Sequence, residues 1–250
     1  MNFMPKMNRR DFVVGAAAGS LTLGMRIPFD AAEAADGAPE VNAWVVIKPD
    51  ETVVVRIARS EMGQGTLTGL AQLVAEELEC DWSKVAYEFP TPGENVARKR
   101  VWGDFFTAGS QGIRSSNEFV RKGGAAARMM LIEAAASEWK VPAGECTAQN
   151  GTITHAASGK KTTFGAVAAA AGKLEPPTEV KLKDPKDWKV IGQGKKRLDT
   201  PIKVNGEAKY GIDTQVPGML YAAIKACPVT GGKLASFDAG KVEGRKGVKK

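Results

Sequence analysis

From Val41 to Ile47, and again from Thr52 to Ala58, the chain is rich in β-branched and apolar residues. The two runs flank Lys48-Pro49-Asp50-Glu51, with Pro and Asp where a type I turn takes them, and so predict an antiparallel hairpin. The period then changes. After Arg59-Ser60-Glu61-Met62-Gly63-Gln64-Gly65-Thr66, apolar Leu67, Leu70, Ala71, Val74 and Leu78 recur at helical spacing, so a glycine loop feeds a helix N-terminus. Val85, Tyr87 and Phe89 alternate as a half-buried strand ended by Pro90, and the stretch from Thr91 to Arg114 has no period and reads as irregular. Ser115-Ser116-Asn117-Glu118 reads as a capping box that opens a helix from Glu118 to Trp139, stopped by Val141-Pro142. A second small-residue loop, Thr107-Ala108-Gly109-Ser110-Gln111-Gly112-Ile113-Arg114, therefore leads into a second helix.

Further along, a small hairpin turns at Asn150-Gly151, with His155 expected as an exposed strand residue. A short helix follows from Phe164 to Lys173, capped by Thr163 and ended by Glu175-Pro176-Pro177. The segment from Val180 to Arg197 is polar, lysine-rich and carries Pro185, the composition of a linker. Ile202 to Ile212 and Met219 to Ala226 look like strands of a new unit, and the uncapped end at Lys250 is expected to continue in a longer gene product. Together these elements predict an α+β fold whose first unit is a two-layer arrangement of hairpin strands and packed helices over residues 40–179, with a linker at 180–196 and a second unit from 197.

The N-terminus changes the picture. Lys6-Met7-Asn8-Arg9-Arg10-Asp11-Phe12-Val13 precedes a mildly apolar Gly/Ala run and then Ala32-Glu33-Ala34, an A-x-A cleavage site. Residues 1–34 read as a twin-arginine export signal, which carries folded proteins to the periplasm. Asn8 stands where Ser or Thr is usual, and an uncleaved anchor is the alternative. The apolar stretch from Val13 to Leu23 is too short for a stable membrane span.

Net charge +7 raises the question of nucleic acid, but the excess lies in the leader and in lysine runs after Lys181 interleaved with Asp184, Asp187 and Asp199, without an aromatic stacking platform. A solvated lysine face is the reading preferred to a nucleic-acid site. Cys80, Cys146 and Cys227 are scattered and His155 is the only histidine. Three such thiols cannot hold a four-cysteine iron–sulfur cluster, and one histidine cannot build a zinc site, so no metal ligand is assigned. Any electrons must leave through another polypeptide.

The two loops offer backbone N–H groups at helix starts, the arrangement that holds phosphates. Gly lets the chain approach an anion closely, and the amides of Gln64 and Gln111 can read the edge of a heterocycle. A nicotinamide dinucleotide site fails at the third glycine, where Thr68 stands, and a tight turn with packing glycines is an equally open reading.

Ser60-Glu61-Met62-Gly63-Gln64-Gly65-Thr66, with Ala75-Glu76-Glu77-Leu78 and Asp81-Trp82, closely resembles the molybdopterin-binding large subunits of the xanthine dehydrogenase and aldehyde oxidase family. Thr107-Ala-Gly-Ser110-Gln-Gly112 before an Ala-rich helix is similar to that family's second cofactor loop. Arg197-Leu-Asp-Thr-Pro201 through Gly206-Glu-Ala-Lys-Tyr210 to Tyr221-Ala222 is similar to the opening of its α/β hammerhead domain, here from 197 to 250. The order of these units, behind a twin-arginine leader, resembles isoquinoline 1-oxidoreductase β subunits.

The resemblance implies a molybdenum hydroxylase that oxidises an aldehyde or N-heterocycle with oxygen from water. The cofactor would be molybdopterin cytosine dinucleotide, with 2Fe-2S clusters on a small partner subunit that often passes electrons to a cytochrome c. Gln64 with the Gly63 and Gly65 backbone would contact the pterin end, and Thr107, Ser110, Gln111 and Gly112 the phosphates or dinucleotide. The catalytic glutamate is expected beyond residue 250, so no catalytic residue is assigned, and Glu61 is read as structural. The competing reading is a periplasmic binding protein that takes an anionic ligand on the same loops without redox chemistry.

Overall fold

The computed structural model describes residues 39–249; the expected leader lies outside them. The chain divides into one unit that runs through Gly206 and a second from Glu207 onward.

In the first unit, β1 (Glu40–Asn42), β2 (Val45–Ile47) and β3 (Val53–Arg56) form an antiparallel meander. The expected hairpin is present, with Val45 opposite Val55 and Ile47 opposite Val53. Helix α1 (Thr66–Leu78) then crosses over to β4 (Val85–Glu88), which pairs parallel to β3 with Val53 opposite Val85. Alternation along the strands sends Val45, Ile47, Val53 and Val55 into the core beneath α1, where Leu67, Leu70, Ala71, Val74 and Leu78 are buried, while Val46 and Val54 meet Ala86 on the other face.

The stretch from Thr91 to Arg114 is more ordered than its lack of period suggests. A capping box in which Thr91 and Glu94 exchange hydrogen bonds opens α2 (Pro92–Ala97). The buried Asn95 side chain then ties the chain down by bonding Gly103 O at 2.8 Å and Trp102 N at 3.1 Å, and the Trp102 indole donates to Ala43 O at 2.7 Å. Helix α3 (Gln111–Arg114) follows, then α4 (Asn117–Trp139). The capping box expected at Ser115 to Glu118 does not form, because other partners take its members: Ser115 Oγ donates to Gln111 O at 2.5 Å and Glu118 accepts from Lys122 at 2.6 Å.

Helices α1 and α4 meet where Gly124 lies against the Val74 backbone, so close that a Cβ there would sit 2.6 Å from Val74 O. A second sheet, β5 (Cys146–Gln149), β6 (Thr152–His155) and β7 (Lys160–Thr163), is antiparallel throughout and leads into α5 (Phe164–Ala171), whose Phe164, Val167, Ala168 and Ala171 complete the core. His155 is a strand residue as expected but is not exposed. It is 4% accessible, and its two ring nitrogens lie 2.7 Å from Ser158 Oγ and 3.0 Å from Glu145 Oε2.

The segment expected as a linker, 180–196, packs along α1 within the first unit. Residues 68, 72 and 76 recur at the four-residue spacing that puts them on one helix face, and each anchors this strap. Glu76 accepts from the N–H groups of Lys189 (2.8 Å), Val190 (2.6 Å) and Ile191 (3.1 Å) and from Lys183 Nζ (2.8 Å). Gln72 Nε2 donates to Val190 O and Gln193 O at 3.2 and 3.1 Å, and Thr68 Oγ1 accepts from Leu198 N at 3.1 Å. Glu77, beside Glu76, holds Arg121 of α4 at 2.6 Å. The strap ends in α6 (Thr200–Val204), with Pro201 in its first turn, where a strand from Ile202 was expected.

The second unit contains no strand among its described residues, only two short 3-10 turns at Gly211–Asp213 and Ala239–Lys241. The expected strand from Met219 to Ala226 is absent. A strand needs a neighbouring edge for its N–H and C=O groups, and none is present; Ile212, Leu220, Tyr221 and Ile224 are accordingly exposed.

Candidate functional site

Both sequence loops converge at the start of α1. In the first, Gly63 and Gly65 have φ of 99° and 86°, a region that penalises any Cβ, so the tight turn into α1 requires glycine at both positions. The Glu61 carboxylate lies across this turn and accepts from the N–H groups of Gly63 (2.8 Å), Gly65 (2.9 Å) and Leu67 (3.0 Å). Three of the first loop's N–H groups, expected to be unpaired, are thus taken by the chain's own carboxylate. Burial pushes the Glu61 carboxyl pKa up, but these three N–H groups and the Arg197 guanidinium outweigh it and hold the group below the ordinary range. The Gln64 amide bridges the turn: its nitrogen donates to Ser60 O at 2.8 Å and its oxygen accepts from Met62 N at 2.6 Å, while the residue stays exposed.

The second loop is fastened to the first at several points. Thr107 Oγ1 accepts from Ser60 N at 3.0 Å. Arg59, immediately before the first loop, donates to Asp104 O at 2.7 Å, Phe106 O at 2.8 Å and Ser116 Oγ at 3.0 Å, and so grips the second loop on both sides. Gly112 touches Thr66 so closely that a Cβ would meet Thr66 Oγ1 at 2.9 Å. All seven residues predicted for the site, Gly63, Gln64, Gly65, Thr107, Ser110, Gln111 and Gly112, therefore lie on two abutting turns.

The turns differ in what they offer. Ser110 has φ 55° and is exposed, and Gln111 N donates to Ala108 O at 3.2 Å. Among the described residues, the N–H groups of Gly109, Ser110 and Gly112 have no hydrogen-bond partner in the protein. With the Ser110 hydroxyl they form a donor set that fits phosphate oxygens, as a dinucleotide-bearing cofactor requires.

Four residues outside the predicted set complete the arrangement: Arg59, Glu61, Arg197 and Asp199. Arg197 donates to Gly63 O at 2.7 Å, Glu61 Oε1 at 3.0 Å and both Asp199 oxygens at 2.9 and 2.8 Å. Asp199, 2% accessible, also accepts from Lys203 at 2.5 Å, and its cationic partners hold its carboxyl far below the ordinary range. Arg59 and Glu61 sit beside the glycines and were within reach of local reasoning. Arg197 lies too far along the chain for any local signal. A cavity of about 830 Å³ lined by Arg128, Met129, Leu182 and Lys183 among others shares no residue with either loop. No group of three or more His, Cys, Asp or Glu side chains that could hold a metal ion occurs among the described residues.

Two cross-braced glycine turns with free backbone donors are thus seated on a packed helix pair. The sequence pattern of the molybdopterin cofactor-binding domain matches residues 5–211, and the chain belongs to that family. The β subunit of isoquinoline 1-oxidoreductase from Brevundimonas diminuta is 32% identical over 90% of this chain and 34% of its own length. The membrane-bound aldehyde dehydrogenase (pyrroloquinoline-quinone) of Gluconacetobacter polyoxogenes is 34% identical over 95% of this chain and 32% of its own. A nicotinate dehydrogenase subunit of Pseudomonas putida is 27% identical over 79% of this chain and 16% of its own. The chain spans about a third of the length of the first two relatives.

Proposed function

We propose that this chain is the first part of the large subunit of an exported molybdenum hydroxylase, and that its two loops bind molybdopterin cytosine dinucleotide. The observation that carries the reading is the division of labour between the turns. The Gly109, Ser110 and Gly112 N–H groups stand free for phosphate oxygens, while the first turn, filled by Glu61, holds Gln64 in one place at the exposed edge. Thr107 and Gln111 maintain the spacing and shape of the second turn.

When bound, the molybdenum cofactor supplies a two-electron oxidation of an aldehyde or N-heterocycle, with oxygen derived from water. The residues of this chain bind and orient it. The base that moves the proton is expected in sequence beyond residue 250, where the hammerhead domain begun at 197 would also be completed. Apolar Ile212, Leu220 and Ile224, exposed here, would then become strand positions facing a neighbour. A small iron–sulfur subunit would take the electrons and a cytochrome c subunit could follow it, since Cys80, Cys146 and Cys227 do not by themselves supply the ligands of two 2Fe-2S clusters. The paired Arg9 and Arg10 support export by the twin-arginine route to the periplasm, which passes a protein already loaded with its cofactor.

A second reading, a periplasmic binding protein for an anionic ligand, rests on the same free donors, which accept any oxyanion of the right size. Molybdenum content and intact mass of the protein purified from the periplasmic fraction separate the two. About one molybdenum per chain, with an iron–sulfur partner in the same fraction, is the outcome expected of the hydroxylase. A periplasmic protein without molybdenum would leave the binding protein.

A further inference from the structure

The strap along α1 has a direction. Its polar anchors climb the helix one turn at a time, from Glu76 through Gln72 to Thr68, and the next residues in line are Arg197 and the Glu61 turn. Arg197 is not simply a surface cation beside a carboxylate. Its guanidinium meets Glu61 with one nitrogen and the Gly63 carbonyl with another, and it is itself aimed by Asp199, a carboxylate 2% accessible and braced by Lys203. The Glu61 side chain is only 7% accessible.

A carboxylate facing three N–H groups in one turn binds them more strongly than a neutral acceptor would, because each bond is charge-assisted. It also brings a negative charge close to the Gly63 carbonyl oxygen, an arrangement that would loosen the turn unless a cation faced both. Arg197 is that cation.

We infer that Arg197 is a positioning residue for the first loop: by bridging Glu61 and the Gly63 carbonyl it locks the turn around an internal anion, so that the loop is shaped before any cofactor arrives. The use of this clamp rests on the cofactor-binding reading; its existence does not. It makes the strap part of the binding apparatus, since displacement of the strap carries Arg197 away from the turn.

The test is amide hydrogen exchange in the full protein, read at residues 60–67 and at the α1 and α4 core, for wild type, Arg197→Ala and Arg197→Lys. In Arg197→Ala the Gly63, Gly65 and Leu67 amides should exchange about tenfold faster, the effect of losing one charge-assisted contact on a local opening, while core amides keep their protection. Guanidinium chloride well below denaturing concentration should restore the protection where potassium chloride at equal ionic strength does not. Arg197→Lys should fall in between, since an ammonium lacks the planar fork.

Unchanged loop protection in Arg197→Ala, or loss that guanidinium does not repair, overturns the clamp. If Arg197→Ala loses core protection as well, Glu61→Gln decides: it removes the charge, keeps the shape and should deprotect the same three amides, and its failure to do so rejects the clamp. Molybdenum content of the same samples keeps the two readings apart. Loop deprotection in a protein that carries no molybdenum even as wild type upholds the clamp and rejects the cofactor reading, and unchanged protection rejects the clamp whatever the metal content.

Discussion

Glu76 is the strongest single anchor of the strap, and its replacement has a calculable outcome. The residue is 1% accessible, one oxygen accepts from three successive strap N–H groups, and the other faces the Lys183 ammonium at 2.8 Å. Glu76→Ala leaves those N–H groups without an acceptor and the ammonium without its Glu76 partner, although Glu79 still faces Lys183. Breaking a buried pair in this way costs about 3–5 kcal/mol, and the surviving Glu79 contact puts the expectation near the lower end, about 3 kcal/mol. Glu76→Gln keeps one acceptor for the strap but turns an amide NH2 toward Lys183, so roughly half that loss is expected.

Urea unfolding gives the magnitude, and limited trypsin digestion at Lys183, Lys186 and Lys189 reports whether the strap itself has lifted. The carboxyl is pushed up by burial, but Lys183 and the backbone donors win and hold it below the ordinary range. A depressed folded-state pKa stabilises above the unfolded value, about 4.3, and that stabilisation is lost as pH falls through the folded value. The advantage of wild type over the non-titrating Glu76→Gln should therefore be full near neutral pH and fade below about pH 4. A Glu76→Ala protein within about 1 kcal/mol of wild type, with strap cleavage unchanged, would refute the reasoning.

Two further outcomes follow from packing and burial. Gly124→Ala puts a methyl group 2.6 Å from Val74 O and 3.1 Å from Val74 Cα, so α1 and α4 must separate; a net loss of about 1–3 kcal/mol is expected in a thermal melt, whereas the better helix propensity of Ala acting alone would raise Tm. Burial pushes the Cys80 thiol up to about 12, so iodoacetamide at pH 8 should label the exposed Cys227 and spare Cys80 until the protein unfolds; labelling of native Cys80 at a comparable rate would contradict the structure.

Local pattern by itself determined much of this protein. The β2–β3 hairpin, α1, α4, the Asn150-Gly151 turn and both glycine loops follow from periodicity and turn chemistry that act over a few residues. The family follows from motifs of the same short range. What only the tertiary structure decided are polar matters. Residues 180–196 have the composition of a linker, yet they form a strap, because their partners are Gln72, Glu76 and Glu77, more than a hundred residues earlier. A polar stripe on a helix looks solvated unless its distant partner is known.

Ser115 and Glu118 have a capping-box spacing, but the Gln111 carbonyl and Lys122 compete for them and win. His155 was expected to be exposed, yet it shares the inward face of its strand with Ile153 and is enclosed by Ser158 and Glu145. Residues 202–204 and 219–226 carry strand-like sequence, but the first lies in a helix opened by Pro201 and the second has no edge to pair with. Propensity acts along the chain, whereas hydrogen-bond satisfaction is settled across it, and only folding reveals that the Gly63, Gly65 and Leu67 donors belong to Glu61 while those of Gly109, Ser110 and Gly112 stand free.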